Sequence, residues 1–361
     1  MSGMSKIVSG VSTYVNNNVG QYVPTVNKSR IFIITLGVIA IALIVLFSYI
    51  FNILRLQENA CSKLEILYPN PTNQSYFNSN SSIKASALTI FDTSNSILIN
   101  YHVKSAYNCC CGDGYKNNFV ALCALQKCIA NGCRFLDFEI YSYNNDPIIA
   151  SSTADNNYIK ESYNALLLSE VLNTITEYAF DGIKTICSND PLILNFRVMS
   201  TNAIMLEKMG DLFEEYLDKG INANFSLLKV YKDAAVLNIK MRELYRKIII
   251  ICDFKPNANI IVNPKLTNYI NLRGSGSYCH TYRHKDIVTK NNTTQLRGET
   301  ISKYVIVLPE IDNSIQNFDS TDSFSNGCQA ICMKHQNLDN FLKGYNDVKF
   351  GEGERYSWRF K

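Results

Sequence analysis

Apolar residues run without a charge from Ile31 to Phe51 (IFIITLGVIAIALIVLFSYIF). A run of about 20 apolar residues crosses a bilayer as a helix, so the pattern predicts one transmembrane helix over 31–54. A cleaved signal peptide fits less well, because the run is too long and no small-residue cleavage site follows cleanly. Residues 1–30 are polar with scattered Val and Tyr and are expected to form a flexible tail. Beyond the apolar run the chain is rich in Asn, Ser and Pro, which predicts a stalk or cap over 55–95.

Folded periodicity begins near Ser96. Ile97–Val103 reads as a strand, and the spacing of Phe119, Leu122, Leu125, Cys128 and Ile129 predicts a helix over Tyr115–Asn131. Gly132 fits a helix C-cap. Phe135–Tyr141 and Pro147–Ala150 follow as strands, then helix Ser169–Phe180, strand Leu192–Val198 and helix Met205–Lys219. Lys247–Cys252 is continuously apolar, as a strand buried on both faces would be. Tyr304–Leu308 and Ala330–Met333 complete the strands. Alternating helices and apolar strands argue for a parallel α/β architecture, and about seven or eight strands over 96–361 match the size of a TIM barrel.

Composition narrows the function classes. The net charge is +4, with 35 Lys and Arg against 31 Asp and Glu, and no basic run stands out. Nucleic-acid binding therefore has no electrostatic support. Lys6, Lys28 and Arg30 precede the apolar run without an acid, whereas Arg55 is soon balanced by Glu58 and Glu65. That bias predicts a single-pass membrane protein with a cytosolic N-terminus and a lumenal or external C-terminal domain. All 12 cysteines follow the apolar run, as in a disulfide-bonded ectodomain. Sequons at Asn73, Asn80, Asn224, Asn291 and Asn292 would permit glycosylation there.

The stretch Gly132-Cys133-Arg134-Phe135-Leu136-Asp137-Phe138-Glu139 carries the strongest chemical signal. Strand periodicity puts Asp137 and Glu139 on one face with Phe135, and turns Leu136, Phe138 and Ile140 the other way. Two acids on a hydrophobic strand need a cation or several hydrogen-bond donors. A second polar cluster, GSGSYCHTYRHK, is a possible phosphate loop, with Gly274 and Gly276 amides beside Arg273, His280, Arg283 and His284. Its plainer reading is a solvated surface loop. Cys279, His280 and His284 lack a fourth zinc ligand. Cys109–Cys111 lack an evident base for a nucleophilic role.

The order of these segments resembles the catalytic barrel of phosphoinositide-specific phospholipase C, from about Ser96 to the C-terminus. Ser105-Ala106-Tyr107-Asn108 sits where that family has Ser-Ser-His-Asn. Gly132-Cys133-Arg134 with Asp137 and Glu139 resembles its Gly-Cys-Arg and acid-x-acid strand, and Asp146-Pro147-Ile148-Ile149 its Pro-Val-Val strand. Val171 through Phe180 with Pro191–Leu194, and then Asn326–Gln329 with Gln336, Asp339 and Phe350, continue the likeness. The chain also resembles uncharacterised phospholipase-like membrane proteins of large DNA viruses, which would place it in a virion membrane.

The resemblance implies two catalytic histidines, but Tyr107 and Ser151 stand at those positions. Neither titrates near neutral pH. It also implies a calcium site of Asn108, Asp137, Glu139 and a further Glu, where this chain has Arg197. An arginine there would repel calcium and could pair with Asp137 or Glu139 in the metal's place. No cofactor is therefore expected, with calcium relevant only if Asn108, Asp137 and Glu139 still bind it. Headgroup lysines and an arginine of the family are replaced as well. The leading expectation is a membrane-anchored, catalytically inactive barrel that contacts the lipid bilayer and binds a phospholipid headgroup or a protein partner. The alternative is a divergent phosphoric diester hydrolase acting on phosphatidylinositol-type lipids, with His102, His280 or His284 recruited.

Overall fold

The computed structural model describes residues 28–68, 96–154, 159–185, 187–218, 225–254, 264–289, 293–351 and 357–361. The expected tail up to residue 27, most of the expected stalk (69–95) and all five sequon asparagines lie outside them. The chain divides into two compact units, residues 1–55 and Leu56–Lys361. Helix α1 (Lys28–Leu67) is long and apolar enough to cross a membrane, and its side chains from Ile31 to Leu54 include a run of exposed large hydrophobics. Its last turns, from Leu56 on, belong to the second unit.

That unit alternates strands and helices. The strands are β1 (Tyr101–Ala106), β2 (Phe135–Tyr143), β3 (Asp146–Ala150), β4 (Leu166–Leu167), β5 (Leu192–Val198) and β6 (Ser226–Leu227). They continue as β7 (Lys247–Asp253), β8 (Leu272–Arg273), β9 (Cys279–Arg283), β10 (Tyr304–Leu308), β11 (Ala330–Met333) and β12 (Trp358–Phe360). Between them run α2 (Leu122–Ala130), α3 (Leu168–Tyr178), α4 (Ala203–Leu212), α5 (Ala234–Leu237), α6 (Pro264–Tyr269), α7 (His284–Thr289), α8 (Thr293–Ser302), α9 (Thr321–Ser325) and α10 (Asn340–Gly344).

Eight strands form a parallel path in the order β6-β7-β5-β2-β1-β11-β10-β9. Phe135 of β2 stacks on Tyr304 of β10 at 6.5 Å although three strand boundaries separate them in the sheet, so the sheet curls around its own interior. The expected α/β barrel is thus present as a curled half-barrel. Among the described residues no pairing joins β9 to β6 or β8. Interior side chains alternate along each strand with side chains that meet the helices. Leu136, Phe138 and Ile140 of β2 are fully buried in the main core, with Phe138 stacked on Phe196.

Several boundaries differ from the sequence reading. The first strand starts at Tyr101, because Leu98–Asn100 form a tight helical turn. Helix α2 spans Leu122–Ala130 rather than 115–131, since Cys111 pairs with Val120 and the Asn118 side chain binds the Phe119 amide. The polar segment read as a loop holds β9, in register with β10 from Cys279↔Tyr304 to Arg283↔Leu308. One disulfide, Cys61–Cys123, is present, while the other ten cysteines are buried free thiols. The cysteine-rich pattern therefore reflects core packing more than cross-linking.

Candidate functional site

Asp137 and Glu139 lie on β2, Arg197 on β5, and Asn108 just past β1, toward the C-terminal ends of the parallel strands, where barrel sites form. Register brings them together, since Glu139 sits opposite Arg197 and Asp137 opposite Asn195. Asn108 adopts φ +42°, a left-handed conformation that asparagine tolerates better than most residues. The turn aims its side chain at the acids.

Both carboxylates are saturated. Asp137 Oδ1 accepts from Asn195 Nδ2 (2.7 Å) and Arg197 Nε (3.0 Å), and Oδ2 from the Asn108 amide (3.1 Å) and Arg197 Nη2 (2.8 Å). Glu139 Oε1 accepts from Asn108 Nδ2 (3.1 Å) and Arg197 Nη1 (2.8 Å), and Oε2 from Tyr141 Oη (2.8 Å) and the Ser152 amide (3.0 Å). Arg197 Nη2 also donates to Asn108 Oδ1 at 2.8 Å. All four groups are buried. Burial by itself lowers the Arg197 pKa, but Asp137, Tyr107 and Glu139 outweigh it and hold the guanidinium well above its ordinary range.

This donor set does not fit a divalent cation. Calcium takes six to eight oxygen ligands. Here the carboxylate oxygens and Asn108 Oδ1 face a guanidinium, and each carboxylate oxygen already accepts two hydrogen bonds. Among the described residues no group of three or more His, Cys, Asp or Glu is placed to hold a metal.

The two positions expected to carry histidine are occupied and closed. The Tyr107 ring lies 4.9 Å from the Arg197 guanidinium and meets Tyr115 edge-on at 5.4 Å. Burial pushes the Tyr107 hydroxyl up to about 12. Ser151 is buried and donates its hydroxyl to the Tyr115 carbonyl at 2.8 Å. Beside Arg197 a cavity of about 90 Å³ is lined in part by Asp253, Thr281, Arg283 and Leu308. Small-molecule sites usually measure about 300–1,000 Å³.

The second cluster does not converge. The Gly274 amide donates to the Cys252 carbonyl at 2.9 Å and the Gly276 amide to the Arg273 carbonyl at 3.0 Å, so neither is directed at a phosphate. His280 bonds Glu299 at 2.7 Å and stacks on Tyr282 at 4.2 Å. His284 stacks on Phe318 at 4.2 Å, and partial burial lowers its pKa. Arg283 binds the Pro309 carbonyl at 2.8 Å and is the member of this cluster that reaches the cavity beside Arg197; Arg273 is exposed at the end of β8. His102 is a core residue, bonded to the Cys328 carbonyl at 2.6 Å and packed on Phe324.

Sequence reasoning missed Asn195, Tyr141 and Ser152 as donors. Asn195 and Tyr141 were within reach of the two-residue alternation that singles out Asp137 and Glu139, because Asn195 precedes Arg197 by two and Tyr141 follows Glu139 by two. Ser152 donates a backbone amide, which no residue type announces.

No family model matches the sequence, and none of the curated proteins compared matches it. Solved structures do. The chain is similar to PLC21 from L. pealei, with TM-score 0.58 and 15% identity, and to PLC21 from S. officinalis, with TM-score 0.59 and 14% identity. Each match covers 75% of this chain and 38% of the other. The chain therefore has a phospholipase C-like fold and spans well under half the length of these two proteins.

Proposed function

We propose that this chain is a membrane-anchored phospholipase C-like domain that is catalytically inactive and serves as a binding or structural module. The observation that carries this reading is Arg197, whose guanidinium bridges Asp137, Glu139 and Asn108. General acid–base chemistry needs a group that titrates near the working pH. Tyr107, pushed up to about 12, is far from that range, and Ser151 is engaged with a backbone carbonyl. A cavity of about 90 Å³ also leaves little room for a phospholipid headgroup beside Arg197. The apolar helix α1 would supply the anchor. The Cys61–Cys123 disulfide favours an oxidising compartment for the domain, in agreement with a lumenal or external placement.

The test is turnover of phosphatidylinositol and its phosphorylated forms by the full chain in liposomes, with calcium and with chelator. No turnover in either condition is expected. Turnover lost with chelator would overturn the reading of Arg197. Turnover insensitive to chelator would identify a divergent phosphodiesterase.

A further inference from the structure

Cys61 and Cys123 differ from the other cysteines in their surroundings. The ten free thiols are buried, whereas both members of the disulfide are partly exposed. Thiol–disulfide exchange requires access to sulfur, so this bond is the one placed for it among the described residues.

The disulfide also ties down the helix end that meets the loop after Asn108, through Ala60 beside Gly112. On one side it holds the end of α1, where Ala60 and Leu64 are buried. Ala60 Cβ would stand 3.0 Å from a Cβ placed on Gly112, so the two segments approach closely there and an alanine would crowd them. Lys63 lies 3.8 Å from Asp113, and Tyr68 Oη donates to the His335 carbonyl at 2.8 Å. Within the loop, the Cys111 amide donates to the Asn108 carbonyl at 2.8 Å and the Cys109 amide to the Asp137 carbonyl at 3.0 Å. The same short segment thus touches α1 through Gly112 and Arg197 through Asn108.

We propose that Cys61–Cys123 is a redox-sensitive clamp that fixes the Cys109–Gly114 loop, and through it Asn108, against Arg197. A dithiol reductant opens it. The two thiols of the reductant become a disulfide, and their two electrons and two protons convert Cys61 and Cys123 to thiols. Among the described residues, what then holds the helix end is the buried Ala60 and Leu64, the Tyr68 hydroxyl, the buried Lys127 paired with Glu65 and donating to the Tyr68 carbonyl at 2.8 Å, and the exposed Lys63–Asp113 pair, which is individually weak. The loop consequently gains freedom while the sheet stays folded. The inference rests on the disulfide-linked contact and holds whether or not the pocket turns over a substrate.

The experiment is amide hydrogen exchange on the full chain in detergent micelles, before and after dithiothreitol, with native-state alkylation counted by mass. On reduction, two cysteines become alkylable and exchange within Cys109–Gly114 speeds by about tenfold or more, while β5 keeps its protection. Gly112→Ala, which crowds Ala60 without touching sulfur, gives the same loosening with the disulfide intact. Unchanged loop exchange after reduction overturns the proposal. So does equal loss of protection in β5, which would make the bond a global staple, or alkylation of more than two cysteines.

Discussion

Arg197 grips Asp137 with two parallel hydrogen bonds, Nε to Oδ1 at 3.0 Å and Nη2 to Oδ2 at 2.8 Å, at the centre of the curled sheet. Such a two-pronged contact between planar groups is the strongest common form of ion pair. The guanidinium reaches Glu139 and Asn108 as well, so one side chain organises residues from β2, β5 and the turn after β1. The cluster carries two acids and one cation, and its remaining negative charge is met by the Asn195, Tyr141, Ser152 and Asn108 donors. Every carboxylate oxygen of the cluster is thus engaged by donors of the protein itself.

Removing the cation leaves both acids buried without their partner. Breaking a buried pair in this way costs about 3–5 kcal/mol. Arg197→Leu is expected to lower stability by that amount in urea unfolding of the full chain, with the slope unchanged. A loss below about 1 kcal/mol would mean that water reaches the acids and the cluster is not tight.

Replacing the cation by an acid reverses the chemistry. Arg197→Glu gathers three carboxylates and frees Asn108 Oδ1, which is an oxygen set suited to calcium. The variant is expected to be unstable in chelator and to regain stability with calcium, by about 2.7 kcal/mol at a hundredfold excess over Kd. The native chain should show no such response. Thermal melts with and without calcium decide it, and a variant indifferent to calcium would refute the donor geometry.

Acid stability is governed first by two buried histidines. Burial lowers His102 to about 4, and burial followed by the Lys104 charge lowers His335 to about 3. Their unfolded value is about 6.5. Because the folded pKa values are the lower ones, the unfolded chain takes up protons first as pH falls. The stability they permit is complete above about 6.5 and is lost as pH drops toward 4 for His102 and toward 3 for His335. Each contributes up to about 1.4 kcal/mol per pH unit in that window. Glu161 is shifted downward as well, but in favour of its charged form, held at about 2 mainly by its hydrogen bond to Lys116. Its contribution disappears only as pH falls from about 4.5 to 2. Urea midpoints should therefore decline already between pH 6.5 and 5, and His335→Gln should flatten that decline. A flat profile down to pH 5 would show that neither imidazole is kept neutral by the fold.

Much of this arrangement was legible in the chain itself. β5, β10 and β11 have the bounds that their apolar runs suggest, and the Asp137–Glu139 pair follows from alternation on β2. Arg197 was singled out as a partner for those acids because the family resemblance puts it where the fourth calcium ligand is expected, not because periodicity or burial announced it. β9 was not legible, since Cys279-His280-Thr281-Tyr282-Arg283 mixes polar residues on both faces. It pairs with β10 only because the tertiary fold supplies partners such as Glu299 for His280 and Tyr282. The Cys61–Cys123 pairing was equally hidden, because 62 residues separate the two and connectivity cannot be deduced from spacing. Burial of Tyr107 against Arg197 and Tyr115 is a packing outcome that no motif encodes.

Restoring both histidines is not expected to restore chemistry. Tyr107→His with Ser151→His supplies the residue types that the sequence resemblance leads one to expect at these positions, but it leaves Arg197 bound to Asp137, Glu139 and Asn108. An imidazole at 151 also has to displace the hydrogen bond to the Tyr115 carbonyl, in a place where the serine is 1% exposed. General acid–base catalysis requires the proton-transfer group within reach of the substrate, and the described cavity beside Arg197, about 90 Å³, is small against the about 300–1,000 Å³ usual for small-molecule sites. The double variant should therefore show no phosphodiester turnover above the native chain in liposomes. If adding Arg197→Glu and calcium to that variant produces turnover while the double variant alone does not, Arg197 is the element that closed the site. If the two histidines alone suffice, the pocket opens more readily than its packing implies, and the chain stands one proton-transfer step from an enzyme.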